Sequence, residues 1–363
     1  MLKTYKYRIY PASGQAAIII NVLTLCRYLY NCALEHRIQA YKRAGKTVNK
    51  YEQMAELPDI KSEFPKFKDV HSQVLQEVLK KLDKTFQNFF RRIREGDARP
   101  GFPRYKAENR YHSFVYPQPN SKMLPLGGTI NLPKIGIIPI RLSRPLEGTP
   151  KTCTVVHKNG KFYACYSCEA EAQILPPTGN QAGIDMGVSA FVATSYGEIF
   201  EAPNTYRKAE KRLKRVQREV SRRKKGSNRR RKAVRKLAKT HEKVANQRRD
   251  IAHKTARILV NKYDLIAHED LQVNNMLKNH HLAKNIQDAG WNLFFNILAS
   301  KAEEAGRQVV KVPPAYTSQI CSDCGQIVKK NLAERTHKCP ECGLILDRDV
   351  NAARNILKIA LAS

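Results

Sequence analysis

The chain opens on a strict alternation, with Tyr5, Tyr7 and Ile9 on one side of residues 4–10 and Lys6 and Arg8 on the other, until Pro11 and Gly14 break the run. A period of two predicts a strand with one face on a core, and a lone opening strand must find its partners later in the chain. From about residue 15 to 43 the period becomes helical. A second helix, from 70 to about 95, carries Val74, Leu75, Val78, Leu79, Leu82, Phe86, Phe89, Phe90 and Ile93 at helical spacing. After a connection rich in Gly, Pro and Arg at 96–111, strand patterns return near 112–116, 129–142, 152–157 and 161–168. The last two flank Lys158-Asn159-Gly160, an Asn-Gly hairpin turn. The expectation is a small β-barrel that the opening strand completes, with the helices inserted between. Residues 174–181, with Pro176, Pro177 and Gly179, read as the linker at the main boundary.

The second half alternates strands and helices. Ala182-Gly183-Ile184-Asp185-Met186-Gly187 runs into 188–194, and Tyr196-Gly197 turns the chain into 198–200, a hairpin with an acid on its first strand. A short apolar run from 263 ends in His268-Glu269-Asp270, a strand with a carboxylate at its exit. A helix over 288–306 carries Trp291, Leu293, Phe294, Ile297 and Leu298, and 308–312 is a further short strand; both are expected in the core. Finally Leu346-Asp347-Arg348-Asp349-Val350-Asn351 opens a terminal amphipathic helix with acids at its start. An Asx residue in Asp347's place commonly caps or turns the chain.

Composition changes this picture in one direction. At 363 residues the chain is expected to form two or three domains, and its 65 Lys and Arg against 32 Asp and Glu give a net charge of +33. Such an excess calls for a polyanionic partner, nucleic acid first. No uninterrupted apolar run approaches about 18 residues and no signal or lipidation motif is seen, so a membrane is not expected. The excess is concentrated in 207–249, which holds 21 Lys and Arg but only Glu210, Glu219 and Glu242 as acids. Leu213, Val216, Val220, Val234, Leu237 and Val244 form its apolar stripe, and Gly226-Ser227-Asn228 folds it into a helical hairpin. A solvated charged face is the bland alternative. So many like charges repel unless phosphates neutralise them, which makes this a phosphate-tracking arm, with Arg222, Arg223, Lys224 and Lys225 as backbone contacts.

The nine cysteines include Cys321-x2-Cys324-x14-Cys339-x2-Cys342, each pair followed by a glycine, Gly325 and Gly343. Four thiolates at that spacing suit one structural Zn²⁺ in a reducing compartment, and leave no open position for catalysis. Cys165 and Cys168 lie three apart on an expected strand and point to opposite faces; like Cys26, Cys32 and Cys153, they are assigned to packing. Three carboxylates, on a strand, at a strand exit and at a helix start, form the oxygen-only set that two Mg²⁺ ions about 4 Å apart need for phosphodiester hydrolysis.

The motifs Gly183-Ile184-Asp185-Met186-Gly187, His268-Glu269-Asp270-Leu271, Asp288-Ala289-Gly290-Trp291, Tyr316-Thr317-Ser318-Gln319 with the two Cys pairs, and Asp347-Arg348-Asp349-Val350-Asn351-Ala352-Ala353 together resemble TnpB, the transposon-encoded nucleases similar to type V CRISPR effectors. Tyr41, Gly101-Phe102-Pro103 and Leu132-Pro133 extend the resemblance over nearly the whole chain. It implies a multidomain α+β protein: a wedge β-barrel (1–14 and 110–175), a helical recognition lobe (15–109), and an α/β RNase H-like RuvC domain (180–363). The last would carry the basic arm at 205–260 and a zinc-ribbon-like insertion at 315–345. By the resemblance Asp185, Glu269 and Asp349 are the catalytic acids for two Mg²⁺. Tyr51 and Gln76 match positions that read a short DNA motif, whereas Ala55 and Ser72 depart from the pattern, so the motif read here is expected to differ. The implied function is an RNA-guided DNA endonuclease, partnered by a transposon-end guide RNA and double-stranded target DNA in a bacterial or archaeal cytoplasm, at the nucleoid. The alternatives are a guided repressor without cleavage, which the retained acids disfavour, a strand-joining transposase, and a miniature CRISPR-associated effector. Oligomeric state is not legible.

Overall fold

The computed structural model describes residues 1–187, 190–202, 204–272, 276, 283, 286, 288–331 and 334–362, with the backbone alone at 109. The chain divides into two compact units, Met1–Ala170 and Glu171–Ser363.

In the first unit the opening alternation is strand β1 (Leu2–Ile9), whose Tyr5, Tyr7 and Ile9 are each 1% exposed. It joins β2 (Ser113–Tyr116), β3 (Thr129–Leu132), β4 (Gly136–Arg141), β5 (Thr149–Lys158) and β6 (Lys161–Glu169) in an antiparallel sheet of order β2-β5-β6-β1-β4-β3. Strands β5 and β6 are joined through Asn159 and Gly160, both at positive φ, 53° and 72°, as a type I′ turn requires. The expected barrel is a curled sheet whose ladder stays open, with β2 and β3 as its edges. A side chain joins the two ends instead: Tyr116 Oη of β2 donates to Pro133 O, just after β3, at 3.0 Å, and from the interior strand β6 Tyr166 Oη donates to Met123 O in the β2–β3 connection.

Between β1 and β2 lie α1 (Ser13–Ala44), α2 (Lys50–Ala55), α3 (Leu57–Glu63) and α4 (Ser72–Arg94). Helix α1 is long and apolar enough by composition to cross a membrane, against the sequence expectation. Half of that stretch is buried, with Ile19, Cys26, Tyr30 and Leu34 in one core with Leu75, Leu79 and Leu82 of α4. The short helices α2 and α3 are not announced by any apolar period. A polar contact holds α2: buried Arg37 donates from Nε to Gln53 Oε1 (2.8 Å) and pairs with Asp83 (3.2 Å), while Gln53 Nε2 donates to Ala33 O (2.9 Å).

The second unit has three layers. Its sheet, of order β11-β10-β7-β8-β9, comprises β7 (Gln181–Asp185), β8 (Ala190–Thr194), β9 (Ile199–Glu201), β10 (Leu265–Glu269) and β11 (Gln308–Val312). The first three form an antiparallel meander, and β10 runs parallel to both β7 and β11. Val188 and Ser189, at the start of the expected second strand, lie outside the described residues. On one face Ala182, Ile184 and Ile266 pack with Ala256 and Leu259 of α6 (Asn228–Lys262) and Phe294 and Leu298 of α7 (Trp291–Ala305). On the other, Ala267 and Val312 pack with Ile356 of α8 (Arg348–Ala362). Helix α5 (Thr205–Arg222) pairs with the first part of α6 as a hairpin.

The stretch read as a linker is fastened to this unit. Thr178 and Gly179 give their N–H groups to the Asp264 carboxylate (2.9 and 2.7 Å), Arg307 Nη2 donates to Pro176 O (2.8 Å), and Leu175 N donates to Ala305 O (3.1 Å). Proline and glycine signal irregular backbone, and irregular backbone can still be pinned by side chains far along the chain.

Candidate active site and metal centre

Side chains alternate along a strand, so Gly183 and Asp185 of β7 share a face, as do Leu265, Ala267 and Glu269 of β10. That face is the one α8 covers. The glycine is what lets the helix in: a Cβ at Gly183 would stand 2.0 Å from Ala353 O and 2.7 Å from Leu357 N, both α8 backbone. A Cβ at Gly187 would lie 3.3 Å from Asp349 Oδ2. The glycines of Gly183-Ile184-Asp185-Met186-Gly187 therefore seat α8 so that Asp349, in its first turn, meets the strand that carries Asp185. Parallel pairing of His268 with Ile184 sets Glu269 one step along, beside Asp185.

Three anions gathered this way oppose one another. Burial first, then the charges of Glu269 and Asp349, hold Asp185 well above the ordinary carboxylate range, although some of its surface still faces solvent. Burial also raises Glu269, against which the Thr317 hydroxyl bonds to Oε1. Burial raises Asp349, opposed by the Arg335 guanidinium 3.6 Å from Oδ2. As a set the three carboxylates are more spread than the ligand shell of a single ion: the described group whose ligand atoms all lie within 4.8 Å is the four cysteines.

The neighbouring acids separate cleanly. Asp270 is in an exposed pair with Lys311 at 3.2 Å. Asp347 caps α8, Oδ1 accepting from Asp349 N (2.8 Å) and Val350 N (3.3 Å). His268 is buried on the opposite face, stacked on Phe295 with ring centroids 4.1 Å apart. Asp288 is 8% exposed and caps α5 through Tyr206 N (2.9 Å) and Thr205 Oγ1 (3.0 Å) while pairing with Arg248 (3.0 Å). Its motif therefore fixes the base of the basic hairpin. Sequence reading missed the partners Thr317 and Arg335; Thr317 stood inside a noted motif, and Arg335 carried no local signal.

Cys321, Cys324, Cys339 and Cys342 converge, with Sγ separations of 3.6 Å (Cys321 to Cys342) and 3.5 Å (Cys324 to Cys339). Each pair forms a tight turn in which Gly325 N donates to Cys321 O and Gly343 N to Cys339 O, both at 3.1 Å, with the glycines at φ 80° and 74°. Backbone N–H groups, Cys342's first, pull the Cys339 thiol down to about 7. All-sulfur donors in tetrahedral reach fit a soft divalent ion such as zinc, whereas the carboxylate set fits a hard one. Of the other cysteines, Cys26, Cys153 and Cys168 are buried as expected, Cys165 is half-buried, and Cys32 is exposed, contrary to a packing role.

Between α5 and α6 runs a groove of about 840 Å³ whose lining includes Lys208, Arg212, Lys232, Arg235, Lys239 and Lys243. Arg222, Arg223, Lys224 and Lys225 stand exposed at the turn of the hairpin. The apolar stripe is corrected at one place: Val234 is 45% exposed, and Ala233 and Thr240 are buried beside the expected Val244. Tyr51 on α2 and Gln76 on α4 are both exposed.

Sequence comparison matches residues 163–280 to a family model described as "Probable transposase", 291–356 to "Cas12f1-like, TNB domain" and 1–46 to "Helix-turn-helix domain". In this chain residues 1–46 hold a strand and a single long helix rather than two helices and a turn. A protein of Escherichia coli (strain K12) named "Putative RNA-guided DNA endonuclease InsQ" is 34% identical over 98% of this chain and 92% of its own length. The chain belongs to the TnpB family. A second relative, "Putative RNA-guided DNA endonuclease" of Streptomyces pristinaespiralis, is 35% identical over 99% of this TnpB-family chain and 90% of its own. The fold is shared with the solved structure titled "Structure of the mini-RNA-guided endonuclease CRISPR-Cas_phi3", at a TM-score of 0.56 and 10% identity over 99% of this chain and 92% of that one.

Proposed function

We propose that this protein is an RNA-guided DNA endonuclease that hydrolyses phosphodiester bonds at Asp185, Glu269 and Asp349. The observation that carries the reading is the gathering of three anions, from β7, β10 and α8, on one sheet face where burial and mutual repulsion make them poor anions without a cation. The strand order, a three-strand antiparallel meander extended by two parallel strands, supports reading this unit as an RNase H-like RuvC domain. Two Mg²⁺ ions, when bound, would supply an activated water and stabilisation of the leaving oxygen. Asp185, Glu269 and Asp349 would hold them. Arg335 neutralises Asp349 in the metal-free protein. One structural Zn²⁺ would sit on the four cysteines.

The partners follow from the charge and from the relatives' names: a transposon-end guide RNA and double-stranded target DNA, met in the cytoplasm at the nucleoid. Base pairing with the guide would carry sequence specificity, and the protein would read backbone and a short adjacent motif. Arg222, Arg223, Lys224 and Lys225 would contact phosphates, and Tyr51 and Gln76 the motif. Residues 1–14 with 110–175 would act as the wedge, 15–109 as the recognition lobe, and 180–363 as the nuclease domain, with its arm at 205–260 and zinc segment at 315–345. The test is to sequence the RNA that copurifies with the expressed protein. A discrete structured species ending in a variable guide is expected; protein that purifies stable and free of nucleic acid at low salt contradicts the reading.

A further inference from the structure

The motif Tyr316-Thr317-Ser318-Gln319 sits between the carboxylates and the cysteines, and nothing assigned so far uses it. Thr317 is 3% exposed, and its hydroxyl reaches Glu269 Oε1. A carboxylate only accepts, so the hydroxyl's single proton is given to Glu269, which fixes the carboxylate's rotation. The backbone that aims Thr317 is unusual. Tyr316 is a non-glycine residue at φ 61°, in the left-handed region that β-carbon sterics disfavour, although its ring is 61% exposed and gains little by burial. Its carbonyl accepts from Gln319 N (2.9 Å) and Ile320 N (3.0 Å), closing a tight turn.

That turn is held from the other side by two asparagines one helical turn apart on α8. Asn355 Nδ2 donates to Thr317 O (2.8 Å) and Ile320 O (2.7 Å), and Asn351 Nδ2 donates to Ile320 O (2.8 Å) while its Oδ1 accepts from Ser322 N (2.9 Å). Both are almost fully buried, Asn355 at 5% and Asn351 at 0%. Cys321, the first cysteine of the cluster, lies inside the span they hold. One helix thus carries Asp349 in its first turn and, through the next turns, clamps the segment that orients Glu269.

We infer that Thr317 is a positioning residue for Glu269, aimed by a turn that Asn351 and Asn355 fasten to the helix bearing Asp349, so that the cysteine segment and the two acids form one mechanical unit. The inference rests on the carboxylate site being a divalent-cation site. The conformation of Glu269 is then set before any cation arrives, and loss of the hydroxyl costs cation affinity without touching a ligand atom. Partners that orient a metal ligand are worth about 10- to 100-fold in affinity.

The experiment measures Mn²⁺ binding by electron paramagnetic resonance on the full chain with its copurified RNA and no DNA, comparing parent, Thr317→Val, Thr317→Ser and Asp185→Ala. Zinc content and melting temperature are checked on each. Valine keeps the shape and loses the hydroxyl; serine keeps the hydroxyl. The expected result is Mn²⁺ affinity lowered about 10- to 100-fold in Thr317→Val, near-parental affinity in Thr317→Ser, and loss of the tight site in Asp185→Ala. Parental affinity in Thr317→Val, or equal weakening by valine and serine, overturns the positioning role. If Asp185→Ala binds Mn²⁺ as the parent does, the cation-site reading itself fails, and the role proposed for Thr317 fails with it.

Discussion

Asp347 and Asp349 are two residues apart and do different things. Asp349 faces Arg335 and the strand that bears Asp185, whereas Asp347 is spent on two N–H groups at the start of α8. Asp349→Ala should therefore lower guided cleavage by about a thousandfold, the scale of several kcal/mol of metal-supported stabilisation, and leave guided binding intact. Asp347→Ala should cost about 0.5–2 kcal/mol of stability and keep measurable cutting. A dead Asp347→Ala beside an active Asp349→Ala would reassign the third acid. Asp185 yields a prediction about pH. Its folded pKa is raised, so the native state holds a proton that the unfolded chain has already released, and metal-free stability falls as pH rises from the ordinary carboxylate range through the raised value. Asp185→Asn should flatten that fall and melt a few degrees higher than the parent at neutral pH, read by calorimetry in chelator. A variant that melts lower, or keeps the parent's slope, contradicts the electrostatic account.

At the scale of elements, what was legible depended on how far the deciding contact lies along the chain. Strand β1 was readable because Tyr5, Tyr7 and Ile9 alternate, and the β5–β6 hairpin because Asn159-Gly160 favours positive φ locally. Helix α2 was not readable, since Arg37 and Asp83, on either side of it in sequence, give it its place. On α6 size misled: Val234 drew attention as the larger apolar residue, while the buried positions there are the smaller Ala233 with Thr240 and Val244. The linker reading lay close to the division between the two units but could not show that the stretch is held, because Asp264 and Arg307 pin 176–179 from far along the chain. The cysteine segment makes an element-scale prediction. Metal analysis should find one zinc per chain, and Cys324→Ser should lose it, lower the melting temperature and reduce cleavage. Active protein without zinc would refute the assignment.

Across the whole molecule, the charge pointed to a polyanion partner and the motifs to a family, but neither could show which residues meet. The structure supplies that: Gly183 explains how α8 approaches β7, and the approach explains why acids separated by many residues share one face. Thr317 and Arg335 stayed hidden because each acts on an acid that is distant in sequence and adjacent only in the fold. The account's central claim is guided cutting by that face. Its most direct measurement is the cleavage of a plasmid matched to the copurified guide, in Mg²⁺, by the parent and by Asp185→Ala, with binding to the same plasmid scored separately. The account predicts that the parent cuts the matched plasmid and spares an unmatched one, while Asp185→Ala binds the matched plasmid without cutting it. Cutting by Asp185→Ala at the parent's rate, or equal cutting of matched and unmatched plasmids by the parent, would contradict it.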